Sequence, residues 1–315
     1  MTVRGIRLLT AALVAFALGV TGCHGMRPPP GERAGGGAVS QKHKQYLAAK
    51  KVVAAIEADA GIAADVPADL KRSGLKVTTS PGYPPMEMFD DDKETIIGID
   101  PSLARAIGKV LGLRVTVKRE SFNAQIPGML TGRYDMVMSS LTDNTERRAK
   151  ATMIDYVAPG TAFVVQKGNP AGIHDPGDVC GKTLAVVDNG SALGYAQDYN
   201  KACRAKGKQP AKILKFTGDQ DALLQVRSGR ADADINDYPV AVYHAATSNG
   251  RLGTVTIHGT KSPFGIAMVP KRKAAIAAVR RAVQALIDSG AYAKILKAWG
   301  VDDMAVKRVT INGGS

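Results

Sequence analysis

The chain has little of what many functional classes require. Aromatic residues make up 5% of its 315 residues, and there are only three Cys, five His and one Trp. No Cys-x-x-Cys pair occurs, and no His lies at zinc-ligand spacing from Cys180 or Cys203, which argues against a structural metal site or a redox dithiol. The His residues form no Ser/His/Asp pattern. The sequence therefore predicts no metal site, no cofactor and no catalytic residue.

The N-terminal apolar run, Leu8 to Val20, is too short to span a membrane. Basic residues precede it, so residues 1–22 are expected to form an export signal. The run ends in Val-Thr-Gly-Cys23, which resembles the lipobox of bacterial lipoproteins, and Cys23 is then the lipidated residue. A secretory signal with an accidental Cys is the alternative. The lipoprotein interpretation predicts a protein anchored by lipid at the extracellular face of a bacterial cell membrane.

The formal net charge is +14, which raises the question of an acidic partner. The Lys and Arg residues are scattered, no zinc-finger or RNP-type motif occurs, and the export signal directs the chain out of the cytoplasm. We therefore expect no nucleic-acid partner and attribute the charge to a surface that faces a membrane.

Residues 23–74 are predicted to be a lipid-anchored tether, rich in Pro and Gly, followed by an Ala/Lys-rich helix over 41–59. The folded body begins at Leu75, and strands alternate with helices from there on. This alternation predicts an α/β fold with mostly parallel sheets. The strands are expected at 75–79, 96–99, 114–118, 135–139, 162–165, 183–187, 212–216, 231–235 and 264–269.

Two cysteines, Cys180 and Cys203, remain when Cys23 is set aside. In an exported chain two such residues most simply form a disulfide.

The segment 133–148 combines a short apolar strand, a hydroxyl-rich turn and a helix start capped at Asp143. Arg147 falls in the first helical turn, where a cation opposes the helix dipole. Free backbone N–H groups beside a guanidinium would suit a carboxylate ligand. A solvated helix residue without function is the alternative.

Six motifs in order resemble the family 3 extracellular solute-binding proteins, the amino-acid receptors of ATP-driven importers. The resemblance covers about residues 75–302. The motifs are Tyr83–Glu87, Ile97–Ala104, Ile126–Asp135, the segment with Thr142 and Arg147, Gly229–Asp237 and Ser289–Gly300.

This resemblance implies a two-lobe clamshell of the periplasmic-binding-protein type that closes on one free amino acid. Two crossing strands, near Phe163–Gln166 and Phe264–Met268, would form the hinge. Residues 75–164 and 265–315 then make lobe I with the C-terminal tail, and residues 165–264 make lobe II.

The resemblance also assigns ligand-binding roles to residues of this chain. Arg147 would bind the ligand carboxylate, and Thr142 would serve the ligand backbone with its N–H and hydroxyl. Ser140 and Asp237 would bind the ammonium, although Asp237 could instead cap a helix.

Tyr83 and Phe122 match wall positions and could instead be simple core. At the lobe II turn, an ungapped match puts Asn189 on the family's glycine, whereas the preferred one-residue shift puts Gly190 there and makes Ser191 a carboxylate cap. Ser80 stands where receptors for basic amino acids carry an aspartate, so a polar or acidic ligand is favoured, although Glu87 nearby weakens that inference.

The predicted function is therefore that of a monomeric lipoprotein that delivers a free amino acid to the permease of an ABC importer. The alternatives are a sensing receptor for a signalling partner and a dehydratase-like enzyme on the same fold.

Overall fold

The computed structural model describes residues 39–314, so the export signal and Cys23 lie outside the described residues. The strands are β1 (Leu75–Thr79), β2 (Met88–Phe89), β3 (Ile96–Ile97), β4 (Val115–Arg119), β5 (Met136–Val137), β6 (Thr152–Val157), β7 (Gly160–Gln166), β8 (Thr183–Val187), β9 (Lys212–Phe216), β10 (Ala233–Asp237), β11 (Leu252–Lys261), β12 (Phe264–Met268) and β13 (Ala305–Ile311). The helices are α1 (Gln41–Ala54), α2 (Ala60–Ala64), α3 (Ala68–Ser73), α4 (Ile99–Val110), α5 (Phe122–Leu130), α6 (Thr145–Arg148), α7 (Ser191–Ala205), α8 (Asp219–Arg227), α9 (Tyr238–Thr247), α10 (Lys273–Asp288) and α11 (Ala291–Trp299).

Two large sheets organise the described residues and each defines a lobe, while β2 and β3 pair in a small third sheet. Lobe I contains six strands in the order β13-β6-β12-β5-β1-β4, and lobe II contains five in the order β11-β7-β10-β8-β9. In both sheets a parallel block joins an antiparallel block. The sheets are therefore mixed rather than mostly parallel, because strands that return across the lobe junction pair antiparallel with their neighbours.

The chain crosses between lobes at residues 158–159 and 262–263, where Ser262 N donates to Pro159 O at 3.3 Å. The strands expected to cross do not do so. All of β7 pairs within the lobe II sheet and all of β12 pairs within the lobe I sheet. The boundary between the lobes that the sequence predicts at 164/165 therefore falls inside β7. The chain crosses in a two-residue connection before this strand, so no strand is shared between the lobes.

Four strands, the two-residue β2 and the longer β6, β11 and β13, were not expected from the sequence. Strands β11 and β13 are edge strands with much exposed surface, so they lack the apolar alternation that marks a half-buried strand. Strand β6 is central and almost wholly buried, so it also lacks alternation.

The N-terminal helix α1 packs on lobe I against α4 and α11. It buries Ala49 and Val53, and Gln45 Nε2 donates to the carbonyl of Trp299 at 3.2 Å. This helix ends at Ala54, five residues before the end expected from the sequence, and belongs to the packed body.

The expected disulfide between Cys180 and Cys203 is confirmed, with Cα atoms 5.6 Å apart. It joins the segment before β8 to helix α7 in lobe II, and Cys203 is buried in the lobe II core.

Candidate ligand-binding site

A cavity of about 280 Å³ lies between the lobes. It is bordered by the segments that follow β1, β5, β8, β9 and β10, at the carboxyl ends of parallel strands, where α/β folds commonly bind ligands. All seven residues assigned to ligand binding from the sequence line it: Tyr83, Phe122, Ser140, Thr142, Arg147, Ser191 and Asp237. The fold thus brings them together, and their contacts with a ligand stay a prediction.

Arg147 is a buried cation, with 7% of its surface exposed. Its Nη1 donates to Thr142 O at 2.9 Å, and its Cζ lies 5.5 Å from the ring centre of Phe122. Burial lowers the pKa of Arg147 to about 10, opposed by Glu146 and Asp237 among nearby acids. The guanidinium therefore stays charged at neutral pH on one wall of the cavity.

The short helix α6 positions Arg147. Asn144, not Asp143 as expected, is its N-cap, and Asn144 Oδ1 accepts from Arg147 N at 2.9 Å. Asp143 is instead buried behind the helix, where its Oδ2 accepts from Gly314 N at 2.9 Å. The carboxylate that the sequence predicts as the N-cap of α6 therefore binds the C-terminal tail instead.

Ser140 occupies a left-handed backbone position, with φ of 51°. Its N–H donates to Asp100 Oδ2 at 2.7 Å and its hydroxyl to Glu87 Oε2 at 3.1 Å. The Ser140 hydroxyl proton is therefore engaged by Glu87, and a ligand ammonium would meet the accepting side of this oxygen.

Glu87, which lines the cavity, forms a buried carboxyl pair with Asp100 behind it. Burial and the proximity of Asp100 raise the pKa of Glu87 well above its ordinary value, while burial raises that of Asp100 to about 6. Hydrogen bonds from Tyr156 Oη, at 2.6 Å, and from Ser140 favour the ionised form of Asp100. The pair is best described as a protonated Glu87 beside an Asp100 carboxylate.

Asp237 ends β10 on the lobe II wall, as the sequence predicts, and caps no N–H of α9 with its side chain. Its Oδ2 lies 2.5 Å from Tyr83 Oη, which also lies 2.6 Å from Asn236 Oδ1. Burial raises the pKa of Asp237 to about 7, opposed by the Tyr83 hydrogen bond and by Arg147.

Asp219 is a cavity residue that the sequence reasoning missed. It is buried at the start of α8, and its carboxylate contacts His244 Nε2 at 2.8 Å and Asn236 Nδ2 at 2.6 Å. Its position in the sequence could have identified it. Thr217-Gly218-Asp219 directly follows β9, at the same edge of the lobe II sheet as Ser191 and Asp237.

Ser191 begins α7, where its backbone lies at the helix N-terminus. Gly190 is the N-cap of α7, and Asn189 before it has a φ of 59°, a conformation that glycine adopts most readily. The shifted register, with Gly190 on the family's glycine and Ser191 as the carboxylate cap, stays a prediction. Asn189 O also accepts from Arg147 Nη2 at 3.1 Å and so joins the two lobes beside the cavity.

A family model described as bacterial extracellular solute-binding proteins, family 3, matches residues 75–302. The chain belongs to this family. Among the described residues no helix is both long and apolar enough to cross a membrane.

Relatives of this solute-binding protein include the arginine-binding protein ArgT of Corynebacterium glutamicum, 33% identical over 80% of this chain and 82% of the relative. The L-cystine-binding protein TcyA of Bacillus subtilis is 27% identical, over 76% of this chain and 87% of the relative. Among solved structures, an ancestral arginine-binding protein bound to arginine is similar with a TM-score of 0.65 and 29% identity, over 72% of this chain and 97% of that one. The two-lobe fold and the family expected from the sequence are thus confirmed.

Cross-lobe contacts show that this solute-binding protein is in a closed arrangement. Besides the Tyr83–Asp237 and Arg147–Asn189 contacts, Gln220 Nε2 of lobe II donates to Gly82 O of lobe I at 3.1 Å. The cavity is therefore formed by both lobes, and separating them would open it.

Proposed function

We propose that this solute-binding protein captures one free amino acid between its lobes and delivers it to the permease of an ABC importer. The observation that carries the proposal is the placement of a buried guanidinium, Arg147, and a carboxyl group, Asp237, on one cavity. An α-amino acid presents a carboxylate and an ammonium, which need such partners. The names of the relatives support the same ligand class.

The cavity favours a cationic ligand side chain over the polar or acidic one expected from the sequence. Three carboxyl groups line it, those of Glu87, Asp219 and Asp237, against the single guanidinium of Arg147. When Arg147 and Asp237 bind the two backbone groups, the Glu87–Asp100 pair, which shares one negative charge, and Asp219, which contacts His244, remain to face the ligand side chain. An acidic side chain would meet repulsion there, whereas a basic one would be attracted.

A screen of the twenty amino acids and cystine by calorimetry tests this proposal. We expect arginine or lysine to bind with the highest affinity and to raise the melting temperature through linkage. Preferential binding of glutamate or aspartate would contradict the cationic assignment and leave the amino-acid assignment standing. Absence of binding by every compound would refute both.

Lipid attachment at Cys23 would hold the receptor, as a monomer, at the extracellular face of the membrane. The family is extracellular, and the sequence at residues 20–23 supports the anchor. Metabolic labelling with a radioactive fatty acid should mark the wild type and not Cys23→Ala. Labelling of both would disprove the assignment.

Binding without catalysis is the function that the cavity supports best, with sensing through a partner as the alternative. One structural relative is an ancestral amino-acid-binding protein described as a precursor of cyclohexadienyl dehydratase, with a TM-score of 0.64. In this chain the cavity carboxyls are engaged by Ser139, Ser140, Tyr83 or His244. Recovery of the bound amino acid unchanged after prolonged incubation is the expected result, and a new product would favour an enzyme.

A further inference from the structure

A second cluster of chemistry-bearing side chains lies on lobe I, away from the ligand cavity. His43 in the first turn of α1 meets Asp90 and Asp91, which directly follow β2. One donor atom from each of the three lies within 4.8 Å of the others, and none of the three lines the ligand cavity. The two carboxylates are more than forty positions from the imidazole, so no local sequence motif predicts this cluster.

Asp90 is the central member of the cluster. It is 4% exposed, and its Oδ2 lies 2.7 Å from His43 Nδ1. Its other oxygen, Oδ1, is buried and has no hydrogen-bond partner among the described residues. A buried carboxylate oxygen without a donor is costly, so Asp90 has an acceptor that the described residues leave unused.

The hydrogen bonds of the neighbouring residues distinguish this cluster from an ordinary acidic turn. Asp92 is fully used within its own loop, where it accepts from the N–H groups of Glu94 and Thr95 and from the Thr95 hydroxyl. Asp91 is half exposed, with Lys42 Nζ 3.3 Å from its Oδ1. Lys42 also donates to Phe89 O at 3.0 Å, which fixes its ammonium at the edge of the cluster.

We propose that His43, Asp90 and Asp91 form a binding site for a divalent transition-metal ion of the Zn²⁺ type. Imidazole nitrogen and carboxylate oxygen are both ligands that Zn²⁺ accepts, with water able to take the fourth position, whereas Ca²⁺ and Mg²⁺ prefer oxygen alone. Two ligand atoms on a tetrahedral Zn²⁺ lie about 3.3 Å apart. His43 Nδ1 and Asp90 Oδ2 therefore need to separate by only about half an ångström to admit the ion.

A bound ion would join α1 to the loop between β2 and β3. Helix α1 begins one residue beyond its N-cap Ser40 and so lies where the chain from the predicted membrane anchor enters lobe I. The bound ion would stabilise the packing of α1 on lobe I, independently of the amino acid held between the lobes.

The test is a calorimetric titration of the full chain, purified without a metal-binding tag, with Zn²⁺ alone. We expect one saturable site and a higher melting temperature in the presence of the ion. His43→Asn keeps a hydrogen-bonding group toward Asp90 but removes the imidazole, and it should weaken binding at least about tenfold. Lys42→Ala should tighten binding, because the ammonium that competes for Asp91 is removed.

His258→Ala is the matched control, because His258 is exposed in lobe II and should not contribute. Far-UV circular dichroism and metal-free melting of each variant establish that α1 is still folded. Equal Zn²⁺ affinity in His43→Asn, a loss confined to His258→Ala, or no saturable binding by the wild type would overturn the proposal.

Discussion

Tyr83 of lobe I and Asp237 of lobe II meet across the cavity, with Tyr83 Oη 2.5 Å from Asp237 Oδ2. Burial and Asp237 raise the pKa of Tyr83 well above its usual value, so the phenol stays protonated and donates. The group proposed to bind the ligand ammonium is thus paired in the closed protein with a hydroxyl from the opposite lobe. An incoming ammonium has to share Asp237 with Tyr83 or replace it.

Removing this hydroxyl should favour the open arrangement of the ligand-free protein. Tyr83→Phe loses a charge-assisted hydrogen bond between the lobes, of about 1.5–3 kcal/mol. Small-angle scattering should then give a larger radius of gyration than for the wild type, and saturating ligand should restore the compact value. Tyr134→Phe, whose hydroxyl bonds Glu120 within lobe I, is the control and should leave the radius unchanged.

Replacing Arg147 by Lys should weaken ligand binding while the fold remains. Arg147→Lys keeps the charge but loses the planar fork that can hold a carboxylate and contact Phe122. A loss of about 2–3 kcal/mol corresponds to a dissociation constant about 30- to 150-fold higher. Calorimetry measures the affinity, and Arg148→Lys is the control, because Arg148 bonds the carbonyl of Gly314 in the tail. Wild-type affinity in Arg147→Lys would contradict the assigned role.

Ligand affinity should fall as the pH is lowered through neutrality. The pKa of Asp237 is about 7 without ligand, and the ligand ammonium would lower it, so binding requires the ionised carboxylate. Below pH 7 the affinity should weaken by about tenfold per pH unit. Calorimetry between pH 5 and pH 8 checks this. Asp237→Asn should bind weakly with a flat profile, and a flat profile in the wild type would be incompatible with the proposal.

The stability of the ligand-free protein should fall as the pH is raised, opposite to the trend in ligand affinity. Asp100 has its pKa raised from 3.8 to about 6, so the folded state holds this proton more tightly than the unfolded state. The contribution of Asp100 to the free energy of unfolding is greatest below pH 4 and is lost as the pH rises through about 6. Thermal melting should show a reduced slope over this range in Asp100→Asn, which mimics the protonated group. The exposed Asp198→Asn should retain the wild-type slope.

The candidate site was predictable from sequence where one short segment carries both scaffold and chemistry. Strand β5, the turn with Ser140 and Thr142, and Arg147 occur within a few residues, so order and spacing were sufficient. The same reasoning missed Asp219, because an acid at a helix start has many ordinary explanations. From Ser80, and despite the neighbouring Glu87, it favoured a polar or acidic ligand, whereas the proposal of a cationic ligand depends on Asp219 and Asp237, which reach the cavity from separate segments.

The sequence by itself determined the α/β character, the family, the disulfide partners and the seven residues that meet at the cavity. These follow from local periodicity and from motifs in order along the chain. Only the tertiary structure decided where the chain crosses between the lobes, which strands run antiparallel, and that Asp143 binds the C-terminal tail while Asn144 caps α6. It also brought His43 to Asp90 and Glu87 to Asp100. Each of these outcomes depends on groups far apart in sequence competing for the same partners, and that competition is settled only when the lobes are packed.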